Sequence, residues 1–265
     1  MPEIAAKFFQ MVRLAIDECN EAPKIEDGEW EELFDLARKQ SILGVAFESV
    51  KRMDKDTEIP RLLKMKWFLQ VNKIKNRNML LNQRSAELVT MFRQDGFDCC
   101  LLKGQGNAMM YPDPYVRTSG DIDLQVKGGR GKVVQYVKKR FPHTRTAFQH
   151  VDYPVFRKVP VEVHYLPVYM NNPVFNRRLK KWFDNQSDEI YGHEVVLPDD
   201  AGRITVPSIR FNIVFQLAHL MHHFLDEGIG LRHMLDYYYL LRKVHQEKVT
   251  LDGLTDLLDR LGLIA

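Results

Sequence analysis

The first third of the chain has hydrophobic residues at helical spacing. They recur every three or four positions over residues 4–16 and again over residues 30–37, which is the pattern of amphipathic helices. Pro60 suits the first turn of a longer helix that continues to about Arg93. We therefore predict a helical region over residues 1–95.

The pattern changes at Gly96, after which short apolar segments alternate with more polar ones. A short apolar run bounded by glycines, or alternating with polar residues, is typical of a strand. The expected elements, in order, are a strand over 97–102, a short helix over 104–111, a turn at 112–114, a strand over 122–126, a helix over 132–141 and strands over 155–158 and 161–165. This alternation predicts a mixed α/β core over residues 96–206.

Helical spacing returns in the last part of the chain. Ser208 is expected to cap a helix that runs through Phe224, and a second helix is predicted over residues 231–244. Residues 261–265 are apolar and carry no charged cap, which indicates either a truncated chain or a final helix packed against the rest of the protein. We therefore predict a C-terminal helical region over residues 207–265.

The composition is that of a soluble globular protein. Of the 265 residues, 45% are hydrophobic and 28% are charged, which argues against a disordered or collagen-like chain. No apolar run approaches the roughly 18 residues of a membrane-spanning helix, and the N-terminus lacks the layout of a signal peptide. Three cysteines, two of them adjacent at Cys99 and Cys100, favour reduced thiols. We expect a cytoplasmic protein without a membrane partner.

The formal net charge of +3 conceals two basic stretches. Residues 61–94 hold eight basic residues and one acidic residue, and residues 127–145 hold seven basic residues and no acidic one. The near-neutral total argues against a uniformly basic nucleic-acid binder. Because the two stretches flank Asp121 and Asp123 in the sequence, they suit a substrate that carries phosphate.

Three carboxylates occupy strand positions where apolar residues are expected. Asp121 and Asp123 are separated by Ile122, so the period-two geometry of a strand directs both carboxylates to one face. Glu162 repeats the pattern on a later predicted strand. Three such carboxylates could hold Mg²⁺, which prefers oxygen ligands, and could bridge two ions. The alternative is a solvated strand edge or a turn without a metal.

Phosphate-binding chemistry is expected upstream of the aspartates. Gly104 and Gly106 permit close approach of the backbone to a ligand, and a helix that starts there would direct free N–H groups at phosphate. Lys103 and Arg117 could bind phosphate oxygens. The alternatives are a solvated lysine at a strand end and, for Arg117, a structural ion pair. A Walker P-loop is excluded because no Gly-Lys-Ser/Thr follows at the required spacing.

Four motifs together resemble a known family. They are Leu-Leu-Lys-Gly at 101–104, Tyr-Pro-Asp-Pro-x-x-Arg at 111–117, Gly-Asp-Ile-Asp-Leu-x-Val at 120–126 and Val-Glu-Val-His at 161–164. This pattern resembles the uncharacterised nucleotidyltransferase family of the DNA polymerase β superfamily. The resemblance implies an α+β fold, in which a polymerase β-like core with a small mixed sheet is flanked by N- and C-terminal helical regions.

The resemblance also implies roles for individual residues. Asp121, Asp123 and Glu162 match the catalytic carboxylates that hold two Mg²⁺ ions, for which Mn²⁺ could substitute. Gly104 matches the turn glycine that binds the triphosphate, and we also expect nucleotide contacts from Lys103, Gln105, Arg117, Gly120 and Arg232. The superfamily usually has Gly-Gly or Gly-Ser at the turn where this chain has Gly104-Gln105, which leaves the manner of triphosphate binding and the choice of NTP open.

Three further residues are candidates for a supporting role. His164 alternates to the same face as Glu162, and His223 and Asp236 lie in the predicted C-terminal helices. His219 and His223 also have the i,i+4 spacing of a zinc site, but the HExxH pattern is absent. The alternative for these histidines is packing or capping in a mixed interior.

Together these observations predict an Mg²⁺-dependent nucleotidyltransferase. It would move a nucleoside monophosphate from an NTP such as ATP to a hydroxyl acceptor and release pyrophosphate. A small molecule, a protein side chain and an RNA end are all compatible acceptors, and no nucleic-acid template is expected. The alternatives are a non-catalytic nucleotide sensor or partner-binding protein with the same fold, and an RNA-binding module.

Overall fold

The fold is described by a computed structural model, which covers residues 3–53, 59–226 and 228–264. The chain divides into two compact units, each assembled from separate segments. The first unit comprises the residues up to Asn78, together with Asp113–Ser119 and Gly230–Arg232. The second comprises Met79–Pro112, Gly120–Ile229 and the residues from His233 onward. The three sequence regions 1–95, 96–206 and 207–265 stay a prediction about domain organisation.

The first unit is helical, as predicted for this part of the chain. Its helices are α1 (Glu3–Ala15), α2 (Trp30–Lys39), α3 (Leu43–Arg52) and the first part of α4 (Arg61–Gln94), with a short 3-10 turn at Asp27–Glu29. Trp30 of α2 and Trp67 of α4 are fully buried in this unit. The Trp67 indole N–H donates to the Leu43 carbonyl oxygen over 3.0 Å, so its burial leaves no unsatisfied polar group.

The loop Asp113–Ser119 belongs to the first unit. The Asn78 side-chain amide donates to two of its carbonyl oxygens, over 2.9 and 2.8 Å. Gly44 lies so close to this loop that a side-chain carbon there would sit 2.1 Å from the Val116 carbonyl oxygen. A larger residue at Gly44 would therefore displace the loop.

The second unit contains a four-stranded mixed sheet. Its strands are β1 (Cys99–Leu101), β2 (Ile122–Val126), β3 (His150–Asp152) and β4 (Val161–His164), in the spatial order β1-β2-β4-β3. Strands β2 and β4 are parallel, whereas β1 and β3 run antiparallel to their neighbours. Helices α5 (Gln105–Ala108) and α6 (Gly129–Arg140) belong to the same unit. The small mixed sheet among helices confirms the predicted α+β fold class.

The strands predicted near residues 97–102, 122–126 and 161–165 are confirmed, but the one over 155–158 is wrong. Two prolines bracket that segment and cannot donate backbone hydrogen bonds to a neighbouring strand. The segment instead forms a tight turn, with one isolated bridge between Phe156 and Val159. The strand that pairs with β4 at the edge of the sheet is β3, which precedes residues 155–158 in the sequence.

The chain after β4 is helical apart from one hairpin. Its elements are α7 (Pro173–Asp184), α8 (Ser187–Tyr191), β5 (His193–Leu197), β6 (Gly202–Val206), α9 (Ile209–Asp226), α10 (Leu231–Gln246) and α11 (Leu254–Leu261). As predicted, Ser208 caps α9, because its hydroxyl oxygen accepts the Phe211 N–H over 3.1 Å. The β5–β6 hairpin has no counterpart in the sequence prediction. None of the helices in the described ranges is long and apolar enough to cross a membrane.

One face of the four-stranded sheet is apolar. Leu124, Val151 and Val163 are fully buried there and pack in one cluster with Leu88 and Phe92 of α4. Because side chains alternate along a strand, the residues between these positions lie on the opposite face. The candidate site is built on that opposite face.

Candidate active site

Polar side chains from three neighbouring strands share one face of the sheet. The register places them in two rows, Asp123–Glu162–Asp152 and Gln125–His164–His150, which cross β2, β4 and β3 in that order. Directly paired residues on neighbouring strands have their side chains in contact range. The arrangement follows from the alternation of apolar and polar residues in each of the three strands.

The three predicted carboxylates converge at the start of β2. One oxygen atom from each of Asp121, Asp123 and Glu162 lies within 4.8 Å of the other two. Asp123 and Glu162 are paired across the parallel strands, and Asp121 immediately precedes β2. The sequence expectation that these three side chains meet is therefore met by the geometry of the sheet.

Two side chains, one cationic and one imidazole, contact the buried Asp123 carboxylate. The Lys103 ammonium nitrogen lies 3.2 Å from Asp123 Oδ2, and His164 Nε2 lies 3.0 Å from Asp123 Oδ1. His164 Nε2 also lies 3.3 Å from Glu162 Oε2. The His164 side chain therefore contacts two of the three carboxylates, as the alternation of β4 predicts, and Lys103 reaches the same cluster from the end of β1.

The three carboxylates differ in their affinity for protons. The negative charge of Asp123, followed by burial, raises the pKa of Asp121. Burial also raises the pKa of Asp123, but Lys103 and the His164 hydrogen bond outweigh it and hold that pKa well below its usual range. Burial also raises the pKa of Glu162, but the effects that lower this pKa are larger in sum. The hydrogen bond with His164 is the largest of them, so the pKa of Glu162 lies below its ordinary value. A cation at this cluster would relieve the repulsion between Asp121 and Asp123.

Lys103 links the carboxylates to the histidines of α9. Its ammonium nitrogen lies 2.8 Å from His219 Nε2, which in turn lies 3.1 Å from His223 Nε2. Burial and the charge of Lys103 lower the pKa of His219 well below its ordinary value, so the neutral ring can accept a hydrogen bond from Lys103. Among the described residues, the groups of three potential metal ligands include neither His219 nor His223. Lys103 gives His219 a partner within the protein, and the choice between packing and a zinc site in α9 stays a prediction.

The predicted glycine turn is present between β1 and α5. Gly104 has φ +57° and ψ −115°, a backbone conformation that residues with a side chain rarely adopt. The Gln105 side chain is buried and donates to Asn82, so its amide group is engaged inside the second unit. Gly120 is exposed directly before Asp121.

The two arginines assigned to nucleotide binding belong to the first unit. Arg117 is buried and donates to the Ser119 hydroxyl over 3.0 Å. Arg232 donates to the Thr118 carbonyl oxygen over 3.3 Å. Both arginines thus contact the loop that precedes Gly120, and their part in nucleotide binding stays a prediction.

Asp236 lies in a buried polar network of the second unit. Its carboxylate accepts hydrogen bonds from the Asn107 amide over 3.1 Å and from the Tyr111 hydroxyl over 2.7 Å. Asn107 also exchanges hydrogen bonds with Gln216 of α9. Asp236 thus joins α10 to α5, and Asn107 extends the network to α9.

The basic stretches serve partly in packing. Lys73 and Arg77 line a cleft of about 290 Å³ in the first unit, together with Arg38. In the second unit, Lys132 lies 4.6 Å from the centre of the Phe97 ring. The positive charge is therefore distributed between an open cleft and contacts with neighbouring side chains.

Sequence reasoning missed His150. This residue pairs with His164 across β3 and β4, and its Nδ1 lies 3.2 Å from Glu162 Oε2. The sequence signal that could have found it is the run His150-Val151-Asp152, which repeats the polar–apolar–polar pattern of residues 162–164. Only the register of the sheet, however, places the two runs side by side.

Comparison with known proteins points to one family. The model of a family described as uncharacterised nucleotidyltransferase matches residues 26–264, a range that contains the three carboxylates and all six strands. No curated protein matches the chain. Among solved structures, an antigenic nucleotidyltransferase-like protein from Paracoccidioides brasiliensis is similar, with 14% identity and a TM-score of 0.39. The similarity covers 68% of this chain and 88% of that one.

Proposed function

Since the chain belongs to the family of uncharacterised nucleotidyltransferases, we propose that it transfers a nucleoside monophosphate from an NTP to a hydroxyl acceptor. Pyrophosphate is the other product. The observation that carries the proposal is the convergence of Asp121, Asp123 and Glu162 on one face of the sheet. Transfer of a nucleotide needs oxygen ligands for a cation that binds phosphate, and this cluster supplies them.

The carboxylate cluster fits divalent metal ions. Its donors are all carboxylate oxygens, the ligand type that Mg²⁺ prefers, and Mn²⁺ accepts the same donors. The negative charge of Asp123 and burial raise the pKa of Asp121, and a cation bound between the two aspartates would relieve that repulsion. We propose that Asp121, Asp123 and Glu162 hold two Mg²⁺ ions. When bound, these ions would neutralise the negative charge of the phosphates and of the leaving pyrophosphate.

The chain's own residues have distinct parts in this reaction. The acceptor oxygen attacks the α-phosphorus, and the bond between that phosphorus and the β-phosphate bridging oxygen breaks. Glu162, whose lowered pKa keeps it ionised, accepts a hydrogen bond from the acceptor hydroxyl and orients it, and the hydroxyl proton leaves to water as the new bond to phosphorus forms. Lys103 binds phosphate oxygens from the end of β1. Most of the rate acceleration then comes from positioning and charge neutralisation.

Nucleotide contacts are proposed for the residues around the glycine turn. The backbone at Gly104 and Gln105 approaches the triphosphate, because Gly104 carries no side chain to obstruct it. Gly120 allows a similarly close approach beside Asp121. Arg117 and Arg232 provide guanidinium groups for phosphate oxygens.

The acceptor is not specified by these residues. A small molecule, a protein side chain and an RNA end each present a hydroxyl group that fits the proposed chemistry, and the reaction needs no nucleic-acid template. ATP is one candidate donor, and the cytoplasm is the proposed compartment.

The proposal is tested by incubating the purified protein with each of the four NTPs, Mg²⁺ or Mn²⁺, and a cell extract as the source of acceptors. We expect pyrophosphate release with at least one NTP and a loss of at least 100-fold in Asp121→Asn. Asp98→Asn is the matched control, because Asp98 is 63% exposed and pairs with Lys127 outside the cluster. Unchanged release by Asp121→Asn would contradict the proposed role of the cluster.

Calorimetry together with the pyrophosphate assay distinguishes a nucleotide sensor from a nucleotidyltransferase. A sensor would bind an NTP with Mg²⁺ in calorimetry but release no pyrophosphate with any extract. That result would replace the catalytic proposal by the non-catalytic one.

A further inference from the structure

A second group of potential metal ligands lies beside the carboxylate cluster. We propose that His150, Glu162 and His164 form a separate metal site, which takes a divalent ion that accepts nitrogen ligands, such as Zn²⁺. The proposal rests on these three side chains and is independent of whether the protein transfers nucleotides. Glu162 is common to both groups.

The distances between the donor atoms suit a tetrahedral ion. His150 Nδ1 lies 3.2 Å and His164 Nε2 lies 3.3 Å from the same oxygen, Glu162 Oε2. One donor atom from each of the three residues lies within 4.8 Å of the other two. Two ligands bound at about 2.05 Å to one tetrahedral Zn²⁺ are about 3.3 Å apart. The two separations from Glu162 therefore match the spacing of ligands around such an ion.

The strand register holds these ligands in place. Glu162 and His164 are two positions apart on β4 and so share a face, and His150 is the residue paired with His164 across the ladder to β3. The rings of His150 and His164 lie with their centres 5.1 Å apart. A site on two paired strands is better fixed than one on a loop.

The polar atoms of the two histidines are not fully satisfied by the protein. His164 is 1% exposed, yet its Nδ1 has no hydrogen-bond partner. The Nδ1 atom of His150, which faces Glu162, is also buried without a hydrogen bond. Buried polar atoms of this kind normally have a partner. A metal ion between His150 and Glu162 would supply one at that nitrogen.

A carboxylate is also placed to orient His150. Asp152 Oδ1 lies 3.5 Å from His150 Nε2, the ring nitrogen that faces away from Glu162. Histidines that bind metals commonly have a carboxylate at their other ring nitrogen, which fixes the ring orientation.

The chemistry of the donors separates the two sites. Mg²⁺ prefers oxygen ligands throughout, whereas Zn²⁺ and related ions bind imidazole nitrogen well. The carboxylate cluster of Asp121, Asp123 and Glu162 should therefore select Mg²⁺. The site that contains the two histidines should select Zn²⁺. Glu162 would bridge the two, as carboxylates do in other sites with two metals.

The test is calorimetric titration of the metal-free protein with Zn²⁺ alone and with Mg²⁺ alone. We expect His150→Asn to weaken Zn²⁺ binding at least tenfold and to leave Mg²⁺ binding unchanged. Asp121→Asn should have the opposite pattern. The matched control is His143→Asn, because His143 is exposed and lies in the loop before β3; it should leave both affinities unchanged.

Either of two titration results would overturn the proposal. One is Zn²⁺ binding by His150→Asn with the affinity of the unaltered protein, and the other is an equal loss of Zn²⁺ binding in Asp121→Asn. A measurement on the unaltered protein covers the case in which a variant does not fold. In nuclear magnetic resonance spectra, Zn²⁺ should shift the ring signals of His150 and His164 but not those of His143. Unshifted signals at saturating Zn²⁺ would also overturn the site.

Discussion

Replacing Lys103 by methionine probes the charge balance of the carboxylate cluster. The substitution keeps most of the side-chain length but removes the ammonium group that lies 3.2 Å from Asp123. Asp123 is only 5% exposed, so it would lose a partner where water cannot replace it fully. We expect the metal-free variant to be less stable than the unaltered protein.

The magnitude follows from the burial of the pair. Removing one partner of a fully buried ion pair costs about 3–5 kcal/mol. Because the Lys103 side chain is 22% exposed and His164 still contacts Asp123, we expect a smaller loss, about 2–3 kcal/mol. At roughly 2–4 °C per kcal/mol for a domain of this size, the melting temperature should fall by about 4–12 °C.

Metal should reverse part of this loss. A divalent ion at the cluster provides the positive charge that Lys103 otherwise supplies, and it binds more tightly when the neighbouring ammonium group is absent. We expect Lys103→Met to bind Mg²⁺ about tenfold more tightly than the unaltered protein, which corresponds to about 1.4 kcal/mol, so its destabilisation in saturating Mg²⁺ should be smaller than in EDTA by about that amount.

The assay is urea unfolding of both proteins in EDTA and in saturating Mg²⁺. Lys127→Met is the matched control, because Lys127 pairs with Asp98 in a largely exposed ion pair that should contribute about 0–1 kcal/mol with or without metal. An equal loss of stability for Lys103→Met in EDTA and in Mg²⁺ would refute the reasoning, since it would mean that the ion does not share the environment of Lys103.

Three further predictions concern the surroundings of the site. Gly104→Ala should cost about 1–3 kcal/mol, because the alanine side chain disfavours φ +57° with ψ −115°; an unchanged melting temperature would contradict this. Burial raises the pKa of Cys99 to about 12 and that of Cys100 well above its ordinary value, so both thiols stay neutral at pH 9. Iodoacetamide should then label the half-buried Cys19 first in the folded protein, as read by peptide mass spectrometry, and equal labelling of all three would be inconsistent with the fold. Asp236→Ala should cost about 2–4 kcal/mol in urea unfolding, because two buried neutral donors lose their acceptor. Its loss should be the same in EDTA and in Mg²⁺, and a loss that depends on metal would place Asp236 in the site after all.

The sequence predicted the parts of the site that depend on local pattern. Alternation along one strand is enough to put Asp121 and Asp123 on one face and Glu162 with His164 on one face. The resemblance implied that Glu162 joins the two aspartates, and the parallel pairing of β2 and β4 brings it beside Asp123. The structure agrees on both points.

The contacts that the sequence did not predict are between distant segments. His150 lies beside His164 only because β3 pairs with β4, and the predicted strand in that region was the wrong one. Lys103 contacts His219 of α9, a residue 116 positions away. Periodicity reports which face a side chain occupies but not which element packs on that face.

The β5–β6 hairpin is a part of the fold that the hydrophobic pattern did not predict. Its strands include exposed positions such as Val196, which is 60% exposed, so the hydrophobic alternation of a half-buried strand is weak there. Asp199 and Asp200 both have positive φ in the connecting turn. Aspartate tolerates this conformation, but two aspartates in a sequence do not by themselves predict such a turn.

The central claim is that the carboxylate cluster supports transfer of a nucleoside monophosphate. The most direct measurement compares an NTP labelled at the α-phosphate with one labelled at the γ-phosphate, each incubated with the protein, Mg²⁺ and the extract that supports pyrophosphate release. We expect the α-label to appear in the acceptor and the γ-label to appear in pyrophosphate. Recovery of the γ-label in the acceptor would contradict this expectation, because the protein would then transfer a phosphoryl group instead of a nucleotide.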